Sequence, residues 1–174
     1  MSRVFVYLGR FALILAGYAI ASLAASAFIH LLFLGSQHWE PGQIPAIVTG
    51  SLVFSIPFVA LFVAYFAFIP TVPVVLLAEV LGKRDWLFYA LGGTVVAVAV
   101  LGMFWLASEP IASGLDLGNG QRAVDPAIRD PRFAAFLTGG GIVGGIAYWI
   151  VAGRFAGHWQ ARVRRRPNDD SGAG

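Results

Sequence analysis

The sequence has no cysteine and very little charge. Without Cys, disulfides, thiolate metal sites and iron–sulfur clusters are excluded, and no redox compartment can be read. Charged residues are 12% of the 174, about half the share of a soluble protein. Acids are scarcer still within the apolar runs, where Glu79 stands alone. No Gly-x-Ser-x-Gly, Walker A or His-Glu-x-x-His pattern occurs, so the nucleophile elbow, the phosphate cradle and the zincin helix are absent as sequence signals. What fills the chain instead is apolar residues, 58% of the total, with 14 Phe and 21 Gly. A soluble fold of this size could not hide that much apolar surface. A bilayer accepts it, because a helix facing lipid needs no polar side.

Four apolar stretches are long enough to cross a membrane. The first, residues 11–34, follows Arg3 and Arg10 and contains no charge. At ~1.5 Å per residue it reaches ~36 Å, against a hydrocarbon core of ~30 Å. Ala25-Ser26-Ala27 resembles a signal-peptide cleavage site, but the apolar run continues past it, so a retained span is expected. The second stretch, residues 44–81, is nearly twice the core thickness. Pro57, Pro70 and Pro73 are the places for a bend. The expectation is one long helix, a span over 45–69 with an extension to 81 kinked near Pro70; in the alternative the span lies further along and 44–55 rests on the opposite surface. The third span is 86–107 and the fourth 133–152. Residues 108–132 read as a polar, Pro-containing connection with a Gly118-Asn119-Gly120 turn. The domain is therefore 1–157, and 158–174 reads as a basic, disordered cytoplasmic tail.

The basic residues set the expected topology. With four spans, Arg3, Arg10, Lys83, Arg84, Arg154, Arg162, Arg164, Arg165 and Arg166 share one side, and only Arg122, Arg129 and Arg132 lie on the other. The positive-inside rule then puts both termini in the cytoplasm. This distribution also argues against nucleic acid as the partner of a basic chain, since the charges flank spans and no soluble module presents them. Arg154 and the tail arginines are placed to meet lipid phosphates.

Helices in lipid associate by close backbone approach, which small residues permit. Gly140/Gly144 and Gly141/Gly145 are such pairs in the fourth span. Gly92, Gly93 and Ala97 lie in the third, and Ala12, Ala16 and Ala19, with the Ser22/Ser26 pair, in the first. Two readings stand: packing within one four-helix bundle, or a homo-oligomer formed through the fourth helix.

The segment Gly144-Gly145-Ile146-Ala147-Tyr148-Trp149-Ile150-Val151-Ala152-Gly153-Arg154-Phe155-Ala156-Gly157 resembles the ending of small, uncharacterised bacterial inner-membrane proteins with about four spans. The stretch from Pro70 to Trp86, with one acid before a basic turn, is similar to theirs as well. The likeness covers about a quarter of the chain. It implies a bacterial inner (plasma) membrane location and carries no activity.

Two side chains are candidates for chemistry. Glu79 is an acid within an apolar run, which is a functional hypothesis by default. Its plainer role is an interfacial ion pair with Lys83 at i+4, close to Arg84. On that reading Glu79→Gln leaves folding and activity largely intact. Small multidrug exporters place an acid deep in their first helix, and residues 11–34 have none. His30, with His38 and Glu40 beyond it, has donor types that suit Zn²⁺ or Cu²⁺, but the spacing matches no ligand motif. An interfacial hydrogen bond is the plainer role for His30. A b-type haem needs two ligands at matched depth, and His158 lies at the other end. Neither a metal nor a cofactor is expected, and the loop acids Asp116, Asp125 and Asp130 read as a solvated connection.

The fold expected is thus all-α: an integral membrane bundle of four transmembrane helices. The functional expectation is a non-enzymatic packing, accessory or scaffold component. Its partners would be the lipid bilayer and either a membrane-protein partner or a second copy of itself, with no nucleic acid. The alternatives are a small transporter or channel component, with a polar path through Thr49, Ser51 and Ser55, and last a membrane-embedded enzyme.

Overall fold

The computed structural model describes residues 3–36, 46–114 and 131–156. Four helices account for nearly all of them: α1 (Arg3–Ser36), α2 (Ala46–Leu81), α3 (Trp86–Gly114) and α4 (Pro131–Val151), followed by a 3-10 turn at Gly153–Phe155. Each helix contains a stretch long and apolar enough to cross a membrane, of 30, 32, 21 and 21 residues in chain order. The helices outrun the apolar segments. α1 begins before Arg10, and α3 continues through Ser108 and Pro110 to Gly114. A helix needs only satisfied backbone groups to continue, and a polar side chain does not end it. α2 remains one helix through Pro57, Pro70 and Pro73.

Local chemistry accounts for the ends. Pro131 is the first residue of α4, where its missing N–H removes a group that has no helical partner anyway. α2 stops at Gly82, whose φ of 60° is the left-handed conformation glycine adopts without strain. The Lys83 N–H then donates to the Ala78 carbonyl at 3.1 Å and the Gly82 N–H to that of Glu79 at 3.4 Å. These are the two bonds of a Schellman ending, and they turn the chain directly into α3.

The helices run up and down, each antiparallel to its sequence neighbour. Pairings between α1 and α2 fall along one as they rise along the other: Ser26 with Ile56, Tyr18 with Ala64, Arg10 with Glu79. α4 lies between α1 and α3, antiparallel to both, and α2 sits diagonally opposite it. The residues between the helices are small. The buried apolar set is mostly alanine, with Tyr89, Val100 and Tyr148, whereas Phe54 (80%), Tyr65 (77%) and Leu106 (75%) are exposed. This is the reverse of a water-soluble core, and such a continuous apolar exterior has no stable place in water.

Candidate functional site: a polar clasp at one end of the bundle

α4 packs through two glycine faces. Gly141 and Gly145 meet α3 backbone to backbone. A Cβ on Gly145 would overlap the Tyr89 carbonyl oxygen, and one on Gly141 would overlap that of Gly93. Gly140 and Gly144 face α1, where a Cβ on Gly144 would lie 3.1 Å from the Ala21 carbonyl oxygen and one on Gly140 would lie 3.2 Å from Ile29 Cδ1. On α1 the small residues that meet α4 are Gly17, Ala21 and Ala25, with Phe28 and Ile29 beyond them. Ala12, Ala16 and Ala19, expected from the sequence to form a small packing face, are exposed. Ser22 and Ser26 are buried.

This close packing brings polar groups from all four helices together at the end where α2 turns into α3. Glu79 pairs with Arg10 of α1. This corrects the expected partner, Lys83. Helical spacing favoured Lys83, but Arg10 is delivered across the bundle, and both side chains are largely covered, 16% and 15% exposed. Arg10 Nη1 also donates to the Ala152 carbonyl at 3.4 Å, so one guanidinium joins α1, α2 and the end of α4.

The last carbonyls of a helix lack internal partners, and its C-terminus carries partial negative charge. Here other elements supply the donors. Arg10 reaches Ala152, the Tyr89 hydroxyl lies 3.4 Å from the Gly153 carbonyl, and Arg84 Nε donates to the Ala156 carbonyl at 3.0 Å. Trp149 Nε1 returns the link by donating to the Arg84 carbonyl at 2.6 Å. The Tyr89 hydroxyl also lies 3.1 Å from the Lys83 carbonyl. The Tyr-Trp-x-x-Ala-Gly segment therefore has a mechanical role: it turns α4 out of its helix and fastens it to the α2–α3 turn. Ala78, Tyr89, Tyr148 and Ala152 form the buried apolar cluster beneath.

Three atoms in the clasp are buried without a hydrogen-bond partner: Arg10 Nε, Glu79 Oε2 and the Tyr148 hydroxyl. Tyr89 and Tyr148 both lie within electrostatic reach of Glu79 and Arg10. The arrangement offers a fixed charge pair and a free carboxylate oxygen. Among the described residues it holds no nucleophile–base pair, and no three His, Asp or Glu side chains gather.

The other residues singled out by sequence sit elsewhere. His30 is half-buried in α1, and its Nδ1 lies 2.8 Å from the Ser26 carbonyl. A carbonyl only accepts, so Nδ1 carries the proton. Ser26 in turn donates to the Ile56 carbonyl at 2.8 Å, which ties this part of α1 to α2. Arg154 is exposed, with its guanidinium carbon 4.9 Å from the Phe155 ring centre. His38, Glu40, His158, Asp116, Asp125, Asp130, Arg162, Arg164, Arg165 and Arg166 lie outside the described residues. Sequence reasoning did not single out Arg10, Tyr89 or Arg84 as site residues. The available signal was the topology itself, which already puts Arg10, Glu79 and the 82–85 turn at the same end.

Cavities lie between the helices of the described residues, and two of them reach the interior glycines of α4. One of about 90 Å³ touches Tyr18, Ser22, Thr71, Tyr89 and Tyr148, and a larger one of about 360 Å³ is lined only by apolar side chains and glycine. Ser51 and Ser55 line neither. No protein-family model matches the chain, and neither does any curated protein or solved structure.

Proposed function

We propose that this chain is a multi-pass protein of the bacterial inner membrane, with four spans and both termini in the cytoplasm, acting as a non-enzymatic packing or accessory component. The observation that carries the reading is the use of its intramembrane charge. Glu79 and Arg10 face each other across helices, with Arg10 also on the end of α4, so the pair joins the bundle. An ionisable group in a span ordinarily marks a substrate or ion path; a pair closed on itself fixes helix register. The apolar exterior supports lipid contact, and the excess of Lys and Arg at the clasp end supports its cytoplasmic placement.

The test is gentle purification into nanodiscs, with mass spectrometry of everything that accompanies the chain. A stoichiometric membrane-protein partner is the expected result. Recovery of the chain alone, as monomer or homo-oligomer, would contradict the accessory role.

A second reading, a small transporter, has one observation in its favour. Glu79 Oε2 and the Tyr148 hydroxyl are buried and unpartnered, which leaves a carboxylate oxygen and a hydroxyl open to a proton or small cation. Flux through proteoliposomes that disappears in a folded Glu79→Gln variant would establish this reading over the first.

A further inference from the structure

The 360 Å³ cavity lies between α2 and the other three helices and is partly open to the outside of the bundle. Ile29 of α1, Val63 of α2, Val100 and Phe104 of α3 and Leu137 of α4 contribute to its wall, with no polar side chain among the lining residues. Water needs two to four polar partners to stay in a cavity, whereas an apolar cavity of ~150 Å³ already takes up benzene. The guest suited to this space is hydrocarbon.

The shape narrows the choice. The cavity forms a seam beside α2, from Val59 to Ala67. Along α4 the seam runs from Phe133 to Gly141, which at 1.5 Å per residue is ~12 Å. That lies within the ~15 Å depth of one leaflet and suits a hydrocarbon chain lying along the helices. Charge favours a phospholipid as its owner. Exposed Arg132 directly precedes Phe133, which lines the seam, and a cation there suits a lipid phosphate.

We propose that this seam is a lipid-binding site holding one acyl chain of a phospholipid whose phosphate rests at Arg132. The proposal rests on the membrane reading above. Its test uses proteoliposomes of phosphatidylethanolamine and phosphatidylglycerol in which some phosphatidylglycerol carries a photoreactive diazirine in its acyl chain. After illumination the modified residues are mapped by mass spectrometry. Val100 is 7% exposed and reachable from the seam, whereas Leu61 (69%) faces outward. The expected result is adducts at Val100 and Leu137 as well as at Leu61. Filling the seam with Ala67→Phe is expected to abolish the Val100 adduct and leave that at Leu61, and Arg132→Gln to weaken the Val100 adduct. Adducts confined to outward residues of the wild-type chain would overturn the lipid site while leaving membrane insertion intact. Absence of adducts at Leu61 too would remove the membrane reading and this site with it. The wild-type map decides even where Ala67→Phe fails to fold.

Discussion

α2 and α4 are both helices that are apolar nearly all round, and they lie diagonally opposite, yet they join the bundle in different ways. α4 carries Gly139, Gly140, Gly141, Gly144 and Gly145. In water each interior glycine would cost a helix about 1 kcal/mol relative to alanine. Here glycine lets α1 and α3 approach to backbone contact, which is the source of helix affinity where lipid removes the hydrophobic one. α2 carries Phe54, Phe58, Phe62, Tyr65 and Phe68 on its exposed surface and meets α3 through side chains, with Val74 against Gly92 and the Phe66 ring 5.1 Å from that of Phe104, not backbone to backbone. Its ties to α1 are polar: Ser26 to the Ile56 carbonyl, Tyr18 to the Ala64 carbonyl, and Arg10 to Glu79. Two modes of assembly thus meet in one bundle, backbone-to-backbone packing at α4 and side-chain contacts with polar tethers at α2. The apolar seam lies along the tethered helix.

The contrast is broken most severely at Gly145. A side chain there meets the Tyr89 carbonyl, which no rotamer change relieves. Gly145→Leu is expected to lose ~3 kcal/mol, the upper range for overpacking, read as a lowered thermal midpoint in detergent. Gly140→Ala meets the flexible end of Ile29 instead and should lose under ~1 kcal/mol by the same principle. Equal losses at the two sites would remove the distinction between backbone and side-chain contact.

The charge tether comes next. Glu79→Gln leaves Arg10 without its counter-charge, for a loss of ~2 kcal/mol, below the range for fully buried pairs because both side chains keep some exposure. The double variant Arg10→Met/Glu79→Met should recover most of that loss, since apolar replacement of both partners removes the uncompensated charge. A double variant less stable than either single one would contradict this.

How much of this was legible in the sequence follows the same divide. The four long apolar helices could be read because apolar length alone sets them. The glycine pairs could be located, but the sequence did not say that alternate glycines serve different neighbours. That depends on where α1 and α3 sit around α4. The alanines of α1 misled, because Ala12, Ala16 and Ala19 are small wherever they point, and in lipid no polar residue marks the outer face. Glu79 was recognised as unusual and assigned the wrong partner. Spacing along one helix pointed to Lys83, whereas Arg10 is 69 residues away in sequence and becomes a neighbour only through the antiparallel pairing of α1 with α2.

Smaller effects sharpen the tether account. Tyr18→Phe and Ser26→Ala each remove one interhelical hydrogen bond, worth ~0.6 kcal/mol in membrane proteins. They should increase the labelling rate of a single cysteine placed at Val63 without changing that of one at Ala90, buried on α3 against Gly145. A matched change at both positions would mean that the tethers hold the whole bundle. Smallest of all is Leu61→Ala on the outward face of α2, where a shift within ~0.5 kcal/mol is expected, measured in the same thermal assay.

The distance distribution between spin labels tests the central claim most directly, and the absence of cysteine makes paired labelling clean. One pair, at Val98 and Ile142, spans α3 and α4; the other, at Leu61 and Val98, spans α2 and α3. All three positions are exposed, so labelling leaves the interior undisturbed. Measured by double electron–electron resonance in nanodiscs, the α3–α4 distribution is predicted to be narrow and the α2–α3 distribution broad. Equal widths, or a broader α3–α4 distribution, would contradict the account of a glycine-packed α4 and a tethered α2.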